Sequence, residues 1–357
     1  MSAPTRQPPS RRRGLAALLR ALVALGLLAA LLREIELGDA LARLGAAKPG
    51  FVALALLLML AEGVCGAYKW WLLLRVRDAS IGLWLVVKVS FGASLAACFL
   101  PGSVGLELLR GFGVSRSTGD PAACFTSIAL DRVAGLVGLL LVLLFGAALA
   151  PQPALRHVEL LGLGALATLL AGLALAANGS ARRSIDPLLR HPRLALLRRG
   201  WEQASAVLGE LLERRLHVAR AVALAVVNTL IRVAVVAAAG AALGVAVPAS
   251  AYLVVVPLVI LAMWLPASLG GFGPREVACV ALLGSYGVAG EQALALSLLV
   301  GILGLAAELP GVWVLLDPPP AWRGPLAAAA SSGRRARGSW SPDAVAGSRA
   351  LCDATQN

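Results

Sequence analysis

The sequence predicts an all-α protein, a polytopic transmembrane helical bundle with two broken or re-entrant helical hairpins whose halves are expected to form an inverted repeat. Three observations lead there. The 357 residues are 59% hydrophobic and 14% charged, with a mean hydropathy of +0.82, and polar side chains are too few to cover a water-soluble globule of this size. Apolar runs recur along the chain, most of them close to the ~20 residues that span a bilayer as a helix. Finally, a phrase occurs twice, as Leu100-Pro101-Gly102-Ser103-Val104-Gly105 and as Leu265-Pro266-Ala267-Ser268-Leu269-Gly270. Each copy follows an apolar run and precedes charged residues. Proline and glycine interrupt helices and charge is costly in hydrocarbon, so such interruptions point to a site, and their repetition to a transporter-like architecture.

Residues 1–13 read as a basic N-terminal tail ending in Arg11-Arg12-Arg13. The apolar helix at 14–32 is expected to be retained as an anchor, because Arg20 interrupts it and no small-x-small cleavage site follows. Further apolar segments lie at 51–74, 81–100, 121–150, 155–177, 218–240, 249–265, 274–289 and 292–316. Tyr68, Trp70, Trp71, Trp84, Tyr252 and Trp313 fall near segment ends, where amphipathic rings favour the headgroup level. Together, residues 14–316 form the membrane domain. It contains a polar loop at 178–217 with eight arginines. The pattern Leu197, Trp201, Ala204, Leu208, Leu211 and Leu212 within that loop suits either a helix on the membrane surface or one packed on the bundle from the cytosol. From Asp317 the chain passes through Pro318-Pro319-Pro320 into an Ala/Ser/Gly/Arg-rich stretch, so residues 317–357 read as a disordered C-terminal tail.

The net charge of +13 is carried almost wholly by arginines placed between and beyond the apolar runs. That distribution speaks for positive-inside topology and against nucleic-acid binding. It places both tails, Arg75, Arg77 and the 178–217 loop in the cytoplasm of a cell with a bacterial-type inner membrane. The connections at 151–154, 241–248 and 285–290 carry no basic residue and suit the opposite face. If every apolar segment crossed in turn, the 178–217 loop would fall outside. A hairpin at 81–118 that enters and leaves from the cytoplasmic side, turning at Leu100-Pro101-Gly102, removes the conflict. By the same count 249–289 enters and leaves from the outside or crosses twice, turning between Leu265 and Pro274. The repeat then matches 51–74, hairpin and 121–150 to 218–240, hairpin and 292–316.

Cysteines at 65, 98, 124, 279 and 352 lack CxxC spacing, and His157, His191 and His217 are scattered outside the apolar cores, so neither a disulfide framework nor a metal site is expected. Serine-hydrolase, zinc-protease, Walker and dinucleotide motifs are absent. The chain therefore reads as a non-enzyme with no cofactor, with intramembrane acid–base chemistry by paired carboxylates as the rival. The ionisable residues in or beside apolar segments are Glu62, Lys88, Glu107, Arg110, Asp131, Arg132, Arg232, Arg275, Glu276 and Glu308. A lone charge at mid-membrane costs at least ~2.5–3.5 kcal/mol, so these residues should face a bundle interior or wet cavity and find partners. Five acids against five bases equally suit pairs that lock the bundle, and Lys88 and Arg232 could snorkel.

Neighbours on a helix point roughly 100° apart, so Asp131-Arg132 and Arg275-Glu276 are each expected to reach separate partners. Arginine's planar fork matches phosphate, and glycine-containing backbone at a helix start offers free N–H groups. Pro274 suits a first helical turn, which puts Arg275 and Glu276 at a helix N-terminus beside Gly270, Gly271 and Gly273. Gly102 and Gly105 precede Glu107 and Arg110 in the same way. The expected substrate site comprises Glu107, Arg110, Asp131, Arg132, Gly271, Gly273, Arg275 and Glu276, and its expected partner is a membrane lipid with an anionic headgroup.

Three stretches carry a family likeness: Phe99-Leu100-Pro101-Gly102 through Glu107 and Arg110; Asp131-Arg132-Val133-Ala134-Gly135-Leu136; and Pro266-Ala267-Ser268-Leu269-Gly270-Gly271-Phe272-Gly273-Pro274-Arg275-Glu276. Over roughly residues 14–316 the chain resembles the lysylphosphatidylglycerol synthase transmembrane region family, also called flippase-like integral membrane proteins. The resemblance implies translocation of charged lipids, aminoacylated ones included. Bifunctional members add a soluble aminoacyltransferase domain, and the 41 residues after Leu316 are too few and too polar for one, so synthase activity is not expected here. Where members commonly show an asparagine near the first proline, this chain has Ala97-Cys98. The functional expectation is a lipid flippase or transporter; the alternative is a non-catalytic accessory protein presenting lipid to a partner enzyme of envelope lipid or glycan biosynthesis.

Overall fold

The computed structural model describes residues 37–75, 80–97, 104–118, 121–149, 156–177, 215–264 and 273–316, and every regular element among them is an α-helix. In chain order these are α1 (Leu37–Gly45), α2 (Pro49–Leu74), α3 (Leu83–Ala97), α4 (Val104–Thr118), α5 (Pro121–Leu149), α6 (Arg156–Ala177), α7 (Arg215–Ala242), α8 (Ala249–Met263), α9 (Pro274–Gly284), α10 (Gly290–Glu308) and α11 (Gly311–Leu316). The chain is a multi-pass membrane protein. Four of its described helical stretches are long and apolar enough to cross a bilayer: Pro49–Leu74, Cys124–Leu149, Leu216–Ala242 and Gly290–Val314.

Local sequence sets these lengths. Pro49 stands in the first turn of α2, where its missing N–H costs nothing, and the helix continues for 26 residues to the charged Arg75. The 292–316 run divides between α10 and α11 at Leu309-Pro310, because proline cannot extend the ladder of α10. Helices α3 and α4 have 15 residues each, or ~22 Å at 1.5 Å per residue, short of the ~30 Å hydrocarbon core. Helices α8 and α9, with 15 and 11 residues, are equally short. The two expected hairpins are therefore pairs of half-length helices. Their turns at 98–103 and 265–272, like the 14–32 anchor, the 178–214 stretch and the 317–357 tail, lie outside the described residues. Helix α1 was not foreseen; it packs on α10.

The order long, short, short, long occurs twice, as α2–α5 and as α7–α10. Helix α2 packs on α3 and α5 as α7 packs on α8 and α10; α4 packs on α3 and α5 as α9 packs on α8 and α10. Between the halves, α5 meets α7 and α8, while α10 meets α2 and α3, and α2 meets α7. Exchanging the two sets of four helices leaves this pattern unchanged. Rising numbers on α2 meet falling numbers on α7: Glu62 bonds Arg232, Gly66 faces Asn228, and Leu73 shares a cluster with Ala221. The matched helices α2 and α7 are thus antiparallel, which makes the repeat an inverted one.

Packing follows membrane rules. Small residues such as Ala55, Ala239, Ala242 and Ala293 fill the central interface. At Gly146 on α5 an added Cβ would fall 2.5 Å from Leu253 Cβ and 2.9 Å from its carbonyl carbon, so only glycine lets α5 lie this close to α8. Large side chains such as Leu57, Leu161 and Ile302 point outward, as a lipid-facing surface requires.

Candidate functional site

Ionisable side chains occupy three places in the bundle. In the first half, α5 carries Asp131 and Arg132, which diverge as helical neighbours should. Asp131 Oδ1 lies 3.2 Å from Lys69 Nζ on α2, and Arg132 Nε lies 2.7 Å from Glu107 Oε1 on α4. Lys69 also donates to the Asp131 carbonyl. One turn beyond Glu107, Arg110 stacks over the Trp70 ring with its Cζ 4.6 Å from the centroid, and its Nη2 donates to Ser90 Oγ on α3 at 3.2 Å. The Trp70 indole is wholly buried and donates to Ser127 Oγ on α5. Arg110 Nε is buried and has no hydrogen-bond partner among the described residues.

In the second half, Gly273 precedes Pro274 with φ at +92°, a conformation open to glycine, and starts α9. Glu276, 1% exposed, reaches back to accept the Gly273 N–H at 2.7 Å, satisfying one donor of the helix N-terminus. Its other oxygen accepts from Arg275 Nη2 at 2.7 Å and Nε at 3.0 Å. Arg275 also donates to Ser297 Oγ on α10. The expectation that Arg275 and Glu276 reach separate partners is therefore corrected. The first helical turn points both side chains at α10, and the backward reach of Glu276 brings its carboxylate under the guanidinium.

Between the halves, Arg232 on α7 pairs with the buried Glu62 on α2 at 2.6 Å. Arg232 also lines a cavity of about 50 Å³ together with Val236, Val255, Val259, Arg275 and Ser297. One water needs ~10–15 Å³, so this is room for a few methylene-sized groups rather than for a headgroup.

The fold thus gathers Glu107, Arg110, Asp131 and Arg132 in one half and places Gly273, Arg275 and Glu276 in the other; Gly271 lies outside the described residues. Lys88 is exposed, whereas Arg232 is held by Glu62. Lys69 and Trp70 are functional-site neighbours that sequence reading missed. Trp70 was expected at the headgroup level and is instead in the core, as is Tyr252 at 4% exposure, because each faces other helices. The signal for Lys69 was available: a lysine within an apolar run needs a carboxylate, and Asp131 was already identified. Among the described residues no group of His, Cys, Asp and Glu is placed to hold a metal ion.

A family model for the lysylphosphatidylglycerol synthase transmembrane region matches residues 17–309 of the chain. No curated protein matches it.

Proposed function

Because the chain belongs to the lysylphosphatidylglycerol synthase transmembrane region family, we propose that it binds a membrane lipid with a charged headgroup and moves it between leaflets, without chemistry on the lipid. The family places the protein in lipid-related membrane biology. One observation carries it. Four ion pairs, Lys69–Asp131, Glu107–Arg132, Glu62–Arg232 and Arg275–Glu276, take up eight of the ten inward-facing ionisable groups among the described residues. Arg110 and Glu308 stand outside those pairs, and Arg110 keeps a buried Nε to offer an anion.

The lipid phosphate enters at Arg110, where the fork can engage it bidentately. Glu107 and Arg132, each about one-third exposed, form the adjustable rim, since a partly exposed pair exchanges partners at little cost. Asp131, anchored by Lys69, holds the rim in register. Gly273, Arg275 and Glu276 form the matching station in the other half. The protein sits in the inner membrane with both termini in the cytoplasm, following the arginine distribution.

Reconstituted into liposomes, the protein should accelerate exchange of fluorescent phosphatidylglycerol or its lysyl ester between leaflets. Arg110→Ala and Arg275→Ala should abolish the acceleration without loss of membrane insertion. No acceleration with either lipid would favour the accessory role, presentation of lipid to a partner enzyme.

A further inference from the structure

Arg110 and Glu308, the two inward-facing groups outside the ion pairs, still act on one of those pairs. Glu308 closes α10 and lies within electrostatic reach of Arg232 on α7, Glu62 on α2 and Arg110 on α4. Close packing on α3 brings these groups together. The start of α11, three residues past Glu308, is pressed onto α3, where a Cβ at Gly311 would fall 2.5 Å from the Phe91 carbonyl oxygen. The Phe91 ring in turn packs against Gly63, the neighbour of Glu62, with Cζ 3.0 Å from where a Cβ would stand. Ser90, one residue earlier, accepts from Arg110. Helix chemistry does not account for Glu308: a carboxylate at the C-terminal end of α10 stands at the negative pole of the helix dipole, where cations are favoured. The two arginines compensate it.

Arg232 already holds Glu62 at 2.6 Å, and a guanidinium with five N–H donors has room for a second carboxylate. Two acids and two bases thus balance while the site is empty. An anion at Arg110 upsets the balance, because it takes the guanidinium from Glu308 and repels the carboxylate. Arg232 is then the cation to which Glu308 can turn, and there it competes with Glu62 for the contact that joins α2 of one half to α7 of the other. We propose that Glu308 is a positioning residue that couples the anion site to this joint: an anionic headgroup on Arg110 drives Glu308 onto Arg232 and weakens the hold of Glu62. The anion site rests on the proposed lipid-binding function; the placement of Glu308 between the two arginines does not. Coupling of this kind is reciprocal, so whatever loosens the joint tightens the site.

The test is a binding cycle with dodecyl phosphate on the full chain in phosphatidylcholine nanodiscs. Glu308→Gln should bind it roughly tenfold more tightly than the unmodified protein, within the usual range for coupled sites, because Arg110 no longer shares an internal carboxylate. Glu62→Gln should tighten binding to a similar degree by leaving Arg232 to Glu308, and the double variant should gain little beyond either single one. A merely structural Glu308 would lower stability without tightening anion binding. Cys65, a partly exposed free thiol on the same face of α2 between Glu62 and Lys69, reports the joint. Saturating dodecyl phosphate should speed its labelling by a small maleimide in the unmodified protein and leave labelling of Glu308→Gln unchanged. Additive gains, no gain for Glu308→Gln, or labelling of the unmodified protein that ignores the ligand overturns the coupling; the last of these needs no variant to fold. No binding by the unmodified protein, or undiminished binding by Arg110→Ala, would instead remove the anion site and the coupling with it.

Discussion

Glu62 on α2 and Arg232 on α7 meet at 2.6 Å where the two matched, antiparallel helices pack together, so this pair joins the two halves. Glu62 is 9% exposed and Arg232 35%. Arg232→Ala should lower stability by on the order of 3–5 kcal/mol, because it strands the buried Glu62 carboxylate without its partner. Glu62→Leu with Arg232→Leu should recover much of the loss, since the double change strands no charge. Thermal unfolding in nanodiscs measures both; a double variant less stable than Arg232→Ala would contradict this account.

Arg110 depends on shape as well as charge. Its plane stacks on Trp70 while Nη2 reaches Ser90, a combination an ammonium cannot reproduce. Arg110→Lys should therefore transport lipid at least tenfold more slowly than the unmodified protein, close to Arg110→Ala. Leaflet exchange of labelled lipid provides the comparison.

Close approach at Gly146 predicts a contrast between two glycines. Gly146→Ala drives a methyl group into Leu253 on α8 and should cost about 1–3 kcal/mol through overpacking. Gly164→Ala on α6 meets nothing within 4 Å and should be neutral or stabilise by roughly 0.5–1 kcal/mol. Melting temperatures that move in the same direction would count against the packing.

Glu276 holds both Arg275 and the Gly273 N–H. Replacing it by alanine strands a buried guanidinium and a backbone donor together, and should cost on the order of 3–5 kcal/mol. Glu276→Gln keeps an acceptor for Gly273 and should fall between. The fraction of monodisperse protein after solubilisation and the melting temperature report the order.

Much of this architecture was legible because its signals are local. Apolar length marked α2, α5, α7 and α10, and the repeated proline-glycine phrase marked the short pairs between them. Asp131 and Arg132 behaved as helical geometry requires, each reaching its own partner. Arg275 and Glu276 did not, because a helix start lets side chains fold back over backbone that an interior position would cover. Trp70 misled for a different reason. An aromatic near a segment end reads the same whether it faces lipid or another helix, as Trp84 at 69% exposure and Trp70 at 0% show.

Among the described residues the ten inward-facing ionisable groups are five acids, Glu62, Glu107, Asp131, Glu276 and Glu308, and five bases, Lys69, Arg110, Arg132, Arg232 and Arg275. Their formal sum is zero. A transmembrane voltage does work on moving charge, ~2.3 kcal/mol per elementary charge for each 100 mV, and when these groups move together it finds no net charge to act on. Any voltage dependence of leaflet exchange would then measure the charge of the cargo: absent for a zwitterion, of one sign for phosphatidylglycerol and of the opposite sign for its lysyl ester. The polarity of that current would identify the lipid.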